Sequence, residues 1–346
     1  MKFGTSWQES KNRFIIAIAL VAIFTLLPLI IKSPYILHLL IMMLVTVILG
    51  MAFSMLISTG LVSLGITSFY ALGAYACASM VMKLGLSFWF ALPLGTLITA
   101  VIALGIGSIL CRNAGVAFVV LSLMLNSVII QLFGQIDALG GWRGIYDIPR
   151  PDPLPLPFHA PINFVGKVPN YYLVLFLLGI VVLVFYGLYR SRIGRVWMQI
   201  RQSPHLAQAI GINIYRYRLL AFVVASSATA MVGGFFAHYF QSIEPEQFGG
   251  WASILVQLYP ILGGVNFYVG GPIVGAAFMA FVPEFMRIAD EIEPIITGVL
   301  IVLVILFLPG GILGSLQNFP GWNTRRFNRI GRIIRNWLPA RNSLNR

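Results

Sequence analysis

The sequence predicts an all-α, polytopic membrane protein with about ten transmembrane helices, with eight or nine as the alternative counts. Of its 346 residues, 59% are hydrophobic and only 10% are charged, whereas soluble domains carry about a quarter charged residues. The mean hydropathy is +0.90, and the charges cluster so that long apolar runs separate them. Because water cannot satisfy the backbone of such runs, they predict membrane-spanning helices.

The apolar runs are separated by short polar or charged segments. Most of them approach the roughly 20 residues that a helix needs to cross a hydrocarbon core of about 30 Å. The predicted spans are Phe14–Ile31, Tyr35–Ile57, Ser63–Met82, Phe88–Leu110, Val116–Phe133, Tyr171–Tyr189, Leu219–Phe240, Ala252–Phe267, Gly270–Phe285 and Pro294–Pro309.

The two runs within residues 252–285 are short, and glycines lie where they meet. They form either two short spans or a broken, re-entrant pair packed inside the bundle. The total number of spans depends on which of these alternatives holds.

The basic residues predict the orientation of the chain. If the N-terminus is cytoplasmic and the chain crosses ten times, 17 of the 23 Lys and Arg residues fall on the cytoplasmic side. This asymmetry follows the positive-inside rule and places both termini in the cytoplasm. The formal net charge of +13 therefore indicates membrane topology, and we expect no nucleic-acid partner.

This topology divides the chain into a cytoplasmic N-terminus at 1–13, a transmembrane domain at 14–316 and a C-terminal tail at 317–346. The domain contains a proline-rich outer loop at 134–170 and a cytoplasmic loop at 190–218. The first apolar run is too long for a signal peptide and lacks a small-residue cleavage site, so we expect it to be retained. Dense prolines favour extended backbone, and the outer loop is either a docking surface or a rigid spacer.

Two cytoplasmic segments have helical patterns. The stretch after Pro204 has the composition of a short helix ending near Gly211. It is suited to binding a cytoplasmic partner, with positive-inside charge and nothing bound as the alternative. The tail 317–346 places apolar residues such as Trp322 and Trp337 among arginines, which predicts a basic amphipathic helix. We expect this helix to bind membrane lipid as an anchor, with a partner surface as the alternative.

The residue types required for enzyme chemistry or ion coupling are nearly absent from the predicted spans. The four histidines are scattered without metal-ligand spacing, so we predict no metal site. There is no nucleophile elbow, and the Gly166-Lys167 pair is followed by Val168 rather than Ser or Thr, so no P-loop occurs. We therefore predict no catalytic residue, no enzyme activity and no nucleotide hydrolysis by this chain.

Small, uncharged polar residues occur in three of the spans instead. Close helix packing explains most of them. The same residues are suited to line a path that offers hydrogen bonds without fixed charge, and the argument is stronger for the two amides, since burying an unpaired amide costs about 1–3 kcal/mol. The candidates for this translocation path are Ser63, Thr67, Tyr70, Ser122, Asn126 and Gln131.

Five motifs occur in order between about residues 50 and 314. They are Gly60-Leu61-Val62-Ser63-Leu64-Gly65 with Phe69 and Gly73-Ala74-Tyr75; Gly140-Gly141-Trp142-Arg143-Gly144-Ile145 with Ile148-Pro149; Gly194-Arg195 with Ile200-Arg201, Ala209, Gly211-Ile212-Asn213 and Leu219-Leu220-Ala221-Phe222; Leu262-Gly263-Gly264 with Gly270-Gly271-Pro272 and Val274-Gly275-Ala276; and Leu308-Pro309-Gly310-Gly311-Ile312-Leu313-Gly314. Together they resemble the LivM-type permease subunits of branched-chain amino-acid ABC importers.

The resemblance implies a permease subunit in the cell inner membrane that works with several partners. A second related permease subunit would complete the path, two ATP-binding cassette subunits would dock on the cytoplasmic loops, and a periplasmic or lipid-tethered binding protein would deliver substrate. ATP would be used by the partner subunits, and this chain would bind no cofactor. The implied ATPase-coupling loop has arginines as polar contacts and small residues as its close-packing face; its residues are Gly194, Arg195, Arg201, Ala207, Ala209 and Gly211.

The substrate implied by the resemblance is a branched-chain or other hydrophobic amino acid. Urea, short amides or another small carboxylate are alternatives, because the family's His after Ser-Leu-Gly is Ile66 here and its intramembrane acid is missing from the stretch Ser122–Ser127. A self-sufficient secondary transporter is a rival from another class, and a non-transporting membrane scaffold is a third hypothesis.

Overall fold

The computed structural model describes residues 24–28, 33–153, 163–265, 267, 270–286, 298, 302, 306, 308 and 310–317. In these residues the protein is helical, and the backbone pairing outside helices is an isolated antiparallel bridge between Ile145 and Ile243. The first and last predicted spans lie largely outside the described residues, and the basic tail lies outside them except for Gln317.

The long helices coincide with the predicted spans to within a few residues. They are α1 (Pro34–Ile57), α2 (Ile66–Leu84), α3 (Phe88–Leu110), α4 (Val116–Gln135), α5 (Lys167–Arg190) and α8 (Ile214–Phe240). Between α5 and α8 lie α6 (Arg192–Gln202) and α7 (Pro204–Ala209), and after α8 come α9 (Gly250–Gly263), α10 (Gly270–Met286) and α11 (Gly311–Gln317).

Five helices, α1, α3, α4, α5 and α8, are long and apolar enough to cross a membrane. Helix α2 has 19 residues but is more polar, because it carries hydroxyl groups and ends with Lys83. Its sequence therefore suits a span that is surrounded by protein, and most of its side chains are buried against other helices.

Local sequence signals set several helix ends. Pro34 occupies the first turn of α1, where its fixed φ suits a helix start and its missing N–H has no intrahelical acceptor. Helix α2 ends at Gly85, whose φ of 63° is left-handed and therefore favours glycine. Such signals explain why α2 and α3 follow each other with only Gly85 to Ser87 between them.

Side-chain contacts group the helix ends into two sets. On one side, His38 of α1 and Lys167 of α5 contact the Tyr239 hydroxyl of α8, at 2.7 and 3.0 Å. On the opposite side, the Arg218 Nε of α8 donates to the Thr59 carbonyl after α1 at 3.4 Å. This grouping is the one expected if successive helices cross the membrane in alternating directions. The charge pattern predicts that the second set faces the cytoplasm. We call the side of the first set the outer side and that of the second set the inner side.

Helices α9 and α10 pack against each other and against α1. They contain 14 and 17 residues, so each is shorter than the roughly 20 residues of a full span. A Cβ added to Gly275 of α10 would overlap the Tyr259 carbonyl of α9, which explains the glycines that the sequence places here. Whether the pair forms two short spans or a re-entrant pair stays a prediction.

Helix α8 packs at the centre of the described bundle, against α1, α2 and α3. Its backbone meets that of α2 without intervening side chains: a Cβ on Gly73 would overlap the Ala230 carbonyl, and a Cβ on Gly233 would overlap the Tyr70 carbonyl. Small residues on both helices thus permit close backbone packing, which in a membrane supplies much of the attraction between helices.

We predict that Gly73→Ala lowers the free energy of unfolding by about 1–3 kcal/mol, because the added methyl group has no space between α2 and α8. Gly105→Ala is the matched control, since nothing lies within 4 Å of a Cβ at that helical position. Thermal unfolding of both variants in detergent measures the difference. Equal unfolding temperatures would contradict the close packing of α2 on α8.

Candidate functional site

Ser122 and Ser63, two of the predicted path residues, hold the segment before α2, and Ser122 fastens it to α4. The Ser122 hydroxyl accepts a hydrogen bond from the Leu64 backbone N–H at 3.0 Å and donates to the Val119 carbonyl at 2.8 Å. The Ser63 hydroxyl accepts from the Gly65 N–H at 3.3 Å. Both serines are buried, so in this conformation their hydroxyls hold the non-helical segment that precedes α2.

Asn126 lies near the midpoint of α4 and is fully buried. Its side-chain oxygen accepts from the Thr67 hydroxyl at 3.4 Å, and its amide nitrogen donates to the Phe248 carbonyl at 3.4 Å. Phe248 ends the 3₁₀ turn Pro245–Phe248, so non-helical backbone reaches the depth of the middle of α4. Backbone of this kind is tolerated at membrane depth only where protein or a water-filled cavity surrounds it.

Tyr70 completes this buried polar cluster, which we define as Ser63, Thr67, Tyr70, Ser122 and Asn126. The Tyr70 ring packs against Phe248 at 5.2 Å and against Phe236 of α8 at 5.3 Å between centroids. The structure thus brings together five of the six residues that the sequence proposed for the path. Their polar atoms form hydrogen bonds to one another or to backbone groups, except that the Tyr70 hydroxyl forms none with the described residues.

Gln131 is separated from the buried polar cluster and lies exposed on α4. Its neighbours on that exposed face, Met124, Val128 and Leu132, are apolar. Because lipid tails offer no hydrogen-bond partner, an amide on this face is suited to contact another protein or a polar path.

A groove of about 420 Å³ lies between α2 and α4, and sequence reasoning missed it. Tyr75, Ser79 and Lys83 line it and recur every four residues along α2, so they share one face of the helix. Tyr75 stacks on Phe133 of α4 at 4.3 Å. The hydroxyls of Tyr75 and Ser79 have no hydrogen-bond partner among the described residues, whereas the Lys83 amine donates to the Ala138 carbonyl. Their four-residue spacing was the sequence signal that could have predicted a shared polar face on α2.

The first part of the proline-rich outer loop is fastened to the bundle. Ile145 exchanges two backbone hydrogen bonds of 2.9 Å with Ile243, and His238 contacts the Pro149 carbonyl at 2.6 Å. The Asp152 carboxylate accepts from the first N–H of α3, that of Phe88, at 3.0 Å. These contacts hold residues 145–152 across the outer ends of α3 and α8, which fits a rigid segment; whether this surface also docks a partner stays open.

A hydrogen bond at the same rim joins the Tyr146 hydroxyl to the Glu244 carboxylate at 2.7 Å. This bond raises the pKa of Tyr146, since the protonated phenol is the form that donates. The outer loop and the segment after α8 are therefore linked by side chains as well as by backbone.

The predicted cytoplasmic loop folds into two helices, α6 and α7. Helix α6 is held by Trp197, whose ring N–H donates to the Tyr217 carbonyl of α8 at 2.9 Å. Gly194 is buried where a Cβ would overlap the Tyr189 carbonyl. Arg195 is exposed, and Arg201 is partly buried near Gly60. The positions of α6 and of the first turns of α8 are thereby fixed to each other.

Helix α7 confirms the predicted short helix after Pro204, and Gly211 follows it with a φ of 83°. Ala207 packs inward against Ile200 and Ile214, whereas Ala209 and Gly211 are exposed. The structure therefore divides the three small residues that the resemblance assigned to one contact face.

Sequence reasoning also missed two exposed apolar residues in this segment. Leu206 and Ile210 lie four residues apart and are 70% and 69% exposed. Leu206 lies in α7 and Ile210 follows its last residue, and apolar side chains at that spacing lie on one side of a helical turn. Their spacing within a basic, polar loop was the signal for a protein-contact surface.

Comparison with known proteins gives a consistent result. The family model described as branched-chain amino acid transport system / permease component matches residues 35–309. High-affinity branched-chain amino acid transport system permease protein LivM of Salmonella typhimurium is 29% identical over 291 residues, covering 79% of this chain and 68% of that protein. LivM of Escherichia coli is 29% identical over 286 residues, covering 77% and 67%.

A related permease protein, LivH of Escherichia coli, is 26% identical over 126 residues, covering 36% of this chain and 40% of LivH. No solved structure matches the chain.

We predict that Asn126→Leu lowers the free energy of unfolding by about 1–3 kcal/mol, since it leaves the buried Phe248 carbonyl without its side-chain donor. Ser127→Ala is the control: Ser127 is exposed and bonds only to the Leu123 carbonyl of its own helix. Thermal unfolding in detergent measures both. An Asn126→Leu protein as stable as the control would mean that the contact with Phe248 contributes nothing.

Proposed function

The chain belongs to the family of permease components of branched-chain amino acid transport systems, and from this premise we propose that it imports branched-chain or other hydrophobic amino acids. It is a permease subunit of an ABC importer in the inner membrane. The observation that carries the proposal is the family match over 35–309, which spans every helix from α1 to α10.

The energy source in this proposal is ATP hydrolysis on two separate ATP-binding cassette subunits. Supporting this, charged side chains of the described long helices lie only near helix ends, at Lys83, Lys167, Arg190, Arg216 and Arg218. A transporter driven by protons or sodium usually places an ionisable group at depth. The rival of a self-sufficient secondary transporter is therefore disfavoured.

The ATPase subunits dock on α7 in this proposal. Leu206 and Ile210 enter a groove of the ATPase, and Arg195 and Arg201 supply polar contacts around it. Burying two such apolar side chains stabilises an interface by about 1.5–3 kcal/mol each, before ordering costs. Gly194, Ala207, Ala209 and Gly211 act by shaping α6 and α7, with Ala207 on the inward side.

In this proposal, a movement of α7 displaces the residues of the translocation path through the contacts of α6 with α8 and of α8 with α2. Helix α6 is bonded to α8 through Trp197 and Tyr217, and α8 packs backbone to backbone on α2 at Gly73 and Gly233. Helix α2 carries Thr67 and Tyr70 of the buried polar cluster and forms one wall of the groove. A displacement of α6 and α8 therefore moves α2 and changes the shape of both the cluster and the groove. This is how ATP binding outside the membrane alters access within it.

The translocation path in this proposal follows the α2–α4 groove and reaches the buried polar cluster. The groove has an apolar lining, which suits a leucine-like side chain better than urea. Lys83 at its outer rim pairs with the substrate carboxylate. A second permease subunit packs on the exposed face of α4, where it gives Gln131 a polar partner, and a periplasmic or lipid-tethered binding protein delivers substrate above.

We predict that Leu206→Ser combined with Ile210→Ser lowers the yield of co-purified ATPase subunits at least about tenfold, because both side chains lose their buried contact. Both residues are exposed in this chain, so its own fold should be unaffected. Val165→Ser, at a position 71% exposed in the outer loop, is the matched control. Undiminished co-purification in the double variant would place the ATPase contact elsewhere.

We predict that Lys83→Met raises the KM for leucine about tenfold, since the substrate carboxylate loses a charged partner. Lys167→Met is the control, because Lys167 is a second outer lysine whose amine bonds to Tyr239 away from the groove. ATP-driven uptake into proteoliposomes gives both values. Equal KM values would remove Lys83 from the path, and ATP-driven uptake of urea but not leucine would change the substrate while keeping the importer.

A further inference from the structure

A second cleft of about 580 Å³ opens on the inner side of the protein, away from the α2–α4 groove. It lies between the turn that joins α3 to α4, helix α7 and the start of α8. We call it the basic cleft and define it by Arg112, His205, Gln208, Tyr215 and Arg218, which line it together with small and apolar residues. Its volume is in the range of small-molecule sites.

Among the described residues, the arginines of the cleft have no acidic partner. Arg218 is only 8% exposed, and its one described hydrogen bond runs from Nε to the Thr59 carbonyl. No Asp or Glu occurs anywhere in residues 10–136 or 153–243, which include every residue that lines the cleft. The remaining donors of Arg218 have no carboxylate partner among the described residues, so they can donate to an anion that enters the cleft.

The thiol of Cys111 does not supply an anion. Cys111 lines the cleft beside Arg218, and burial raises the pKa of its thiol to about 12, so the thiol is protonated at neutral pH. The charge that complements Arg112 and Arg218 is therefore that of an anion that enters the cleft. Arginine's planar fork suits the oxygens of a phosphate in particular.

The position of the cleft indicates where that phosphate comes from. Two apolar spans, α3 and α4, meet at the turn that contains Arg112, so the cleft lies at the level where the membrane ends. Ile109 and Val116, on either side of this turn, are 70% and 79% exposed. A basic pocket directly above exposed apolar helix surface matches a molecule with an anionic head and acyl chains.

We propose that the basic cleft binds the headgroup phosphate of an anionic phospholipid, with its acyl chains lying along α3 and α4. Arg112 at the rim and Arg218 at the base donate to the phosphate oxygens. The lipid would fill the space between the α3–α4 turn and α7 and so tie the cytoplasmic helices to the membrane surface. This site is independent of the transported substrate.

The test uses the full chain with its co-purifying subunits, reconstituted in phosphatidylcholine vesicles. One preparation contains a phosphatidylglycerol with a photoactivatable group beside its phosphate, and the other a phosphatidylcholine with the same group. Cross-linked peptides are mapped by mass spectrometry, which separates the cleft from lipid bound at the basic tail. We expect phosphatidylglycerol to label residues 108–116 and 204–218, and phosphatidylcholine to label them at least about tenfold less.

Variants keep the test independent of folding. Arg112→Gln, an exposed rim position, should reduce cleft labelling about tenfold, whereas Arg216→Gln, exposed but outside the cleft, should change it less than twofold. Equal labelling by the two lipids, or an equal effect of the two variants, would overturn the proposal. Complete displacement by millimolar inorganic phosphate would make the occupant a soluble anion, and labelling that appears only when the ATPase subunits are removed would assign the cleft to that partner; either result also overturns it.

Discussion

The close backbone contact between α2 and α8 is the constraint on which the remaining features depend. Gly73 and Gly233 allow the two helices to meet without intervening side chains. On one side of this contact, α8 is bonded to α6 through Trp197 and Tyr217; on the other, α2 carries the groove and part of the buried polar cluster. In the proposed function, the predicted cytoplasmic loop therefore acts on the membrane interior through rigid packing rather than through a charge relay.

The polar groups buried in the apolar interior of the described bundle are mostly uncharged, and Arg218 at its inner end is the exception. Hydroxyls and one amide satisfy backbone that is not helical, as where Asn126 meets the Phe248 carbonyl. Such groups are tolerated in a bundle because neighbouring helices supply their partners. In the proposed function these groups offer hydrogen bonds to a passing solute, and the energy for transport comes from separate subunits because an ion-driven transporter usually needs an ionisable group at depth.

The helices were predictable from the sequence because an apolar run of membrane length must pair its backbone hydrogen-bonding groups internally, which a helix does. The faces of those helices were not. Gln131 and Asn126 both lie in α4, but its exposed face, with Met124 and Val128, is as apolar as its buried face, so no amphipathic pattern told them apart. Leu206 and Ile210 were missed for a related reason: the four-residue spacing of two apolar side chains, one in a six-residue helix and one just after it, is a weak signal that does not show which side is exposed.

Uptake of radiolabelled leucine into proteoliposomes that contain this chain with its co-purifying subunits and binding protein tests the central claim most directly. We predict that leucine accumulates when ATP is present in the compartment that the cytoplasmic side of the protein faces. We predict no accumulation when ADP replaces ATP. Accumulation by the purified chain alone, without ATP, would contradict the proposed function, because transport would then need neither ATP nor a partner subunit.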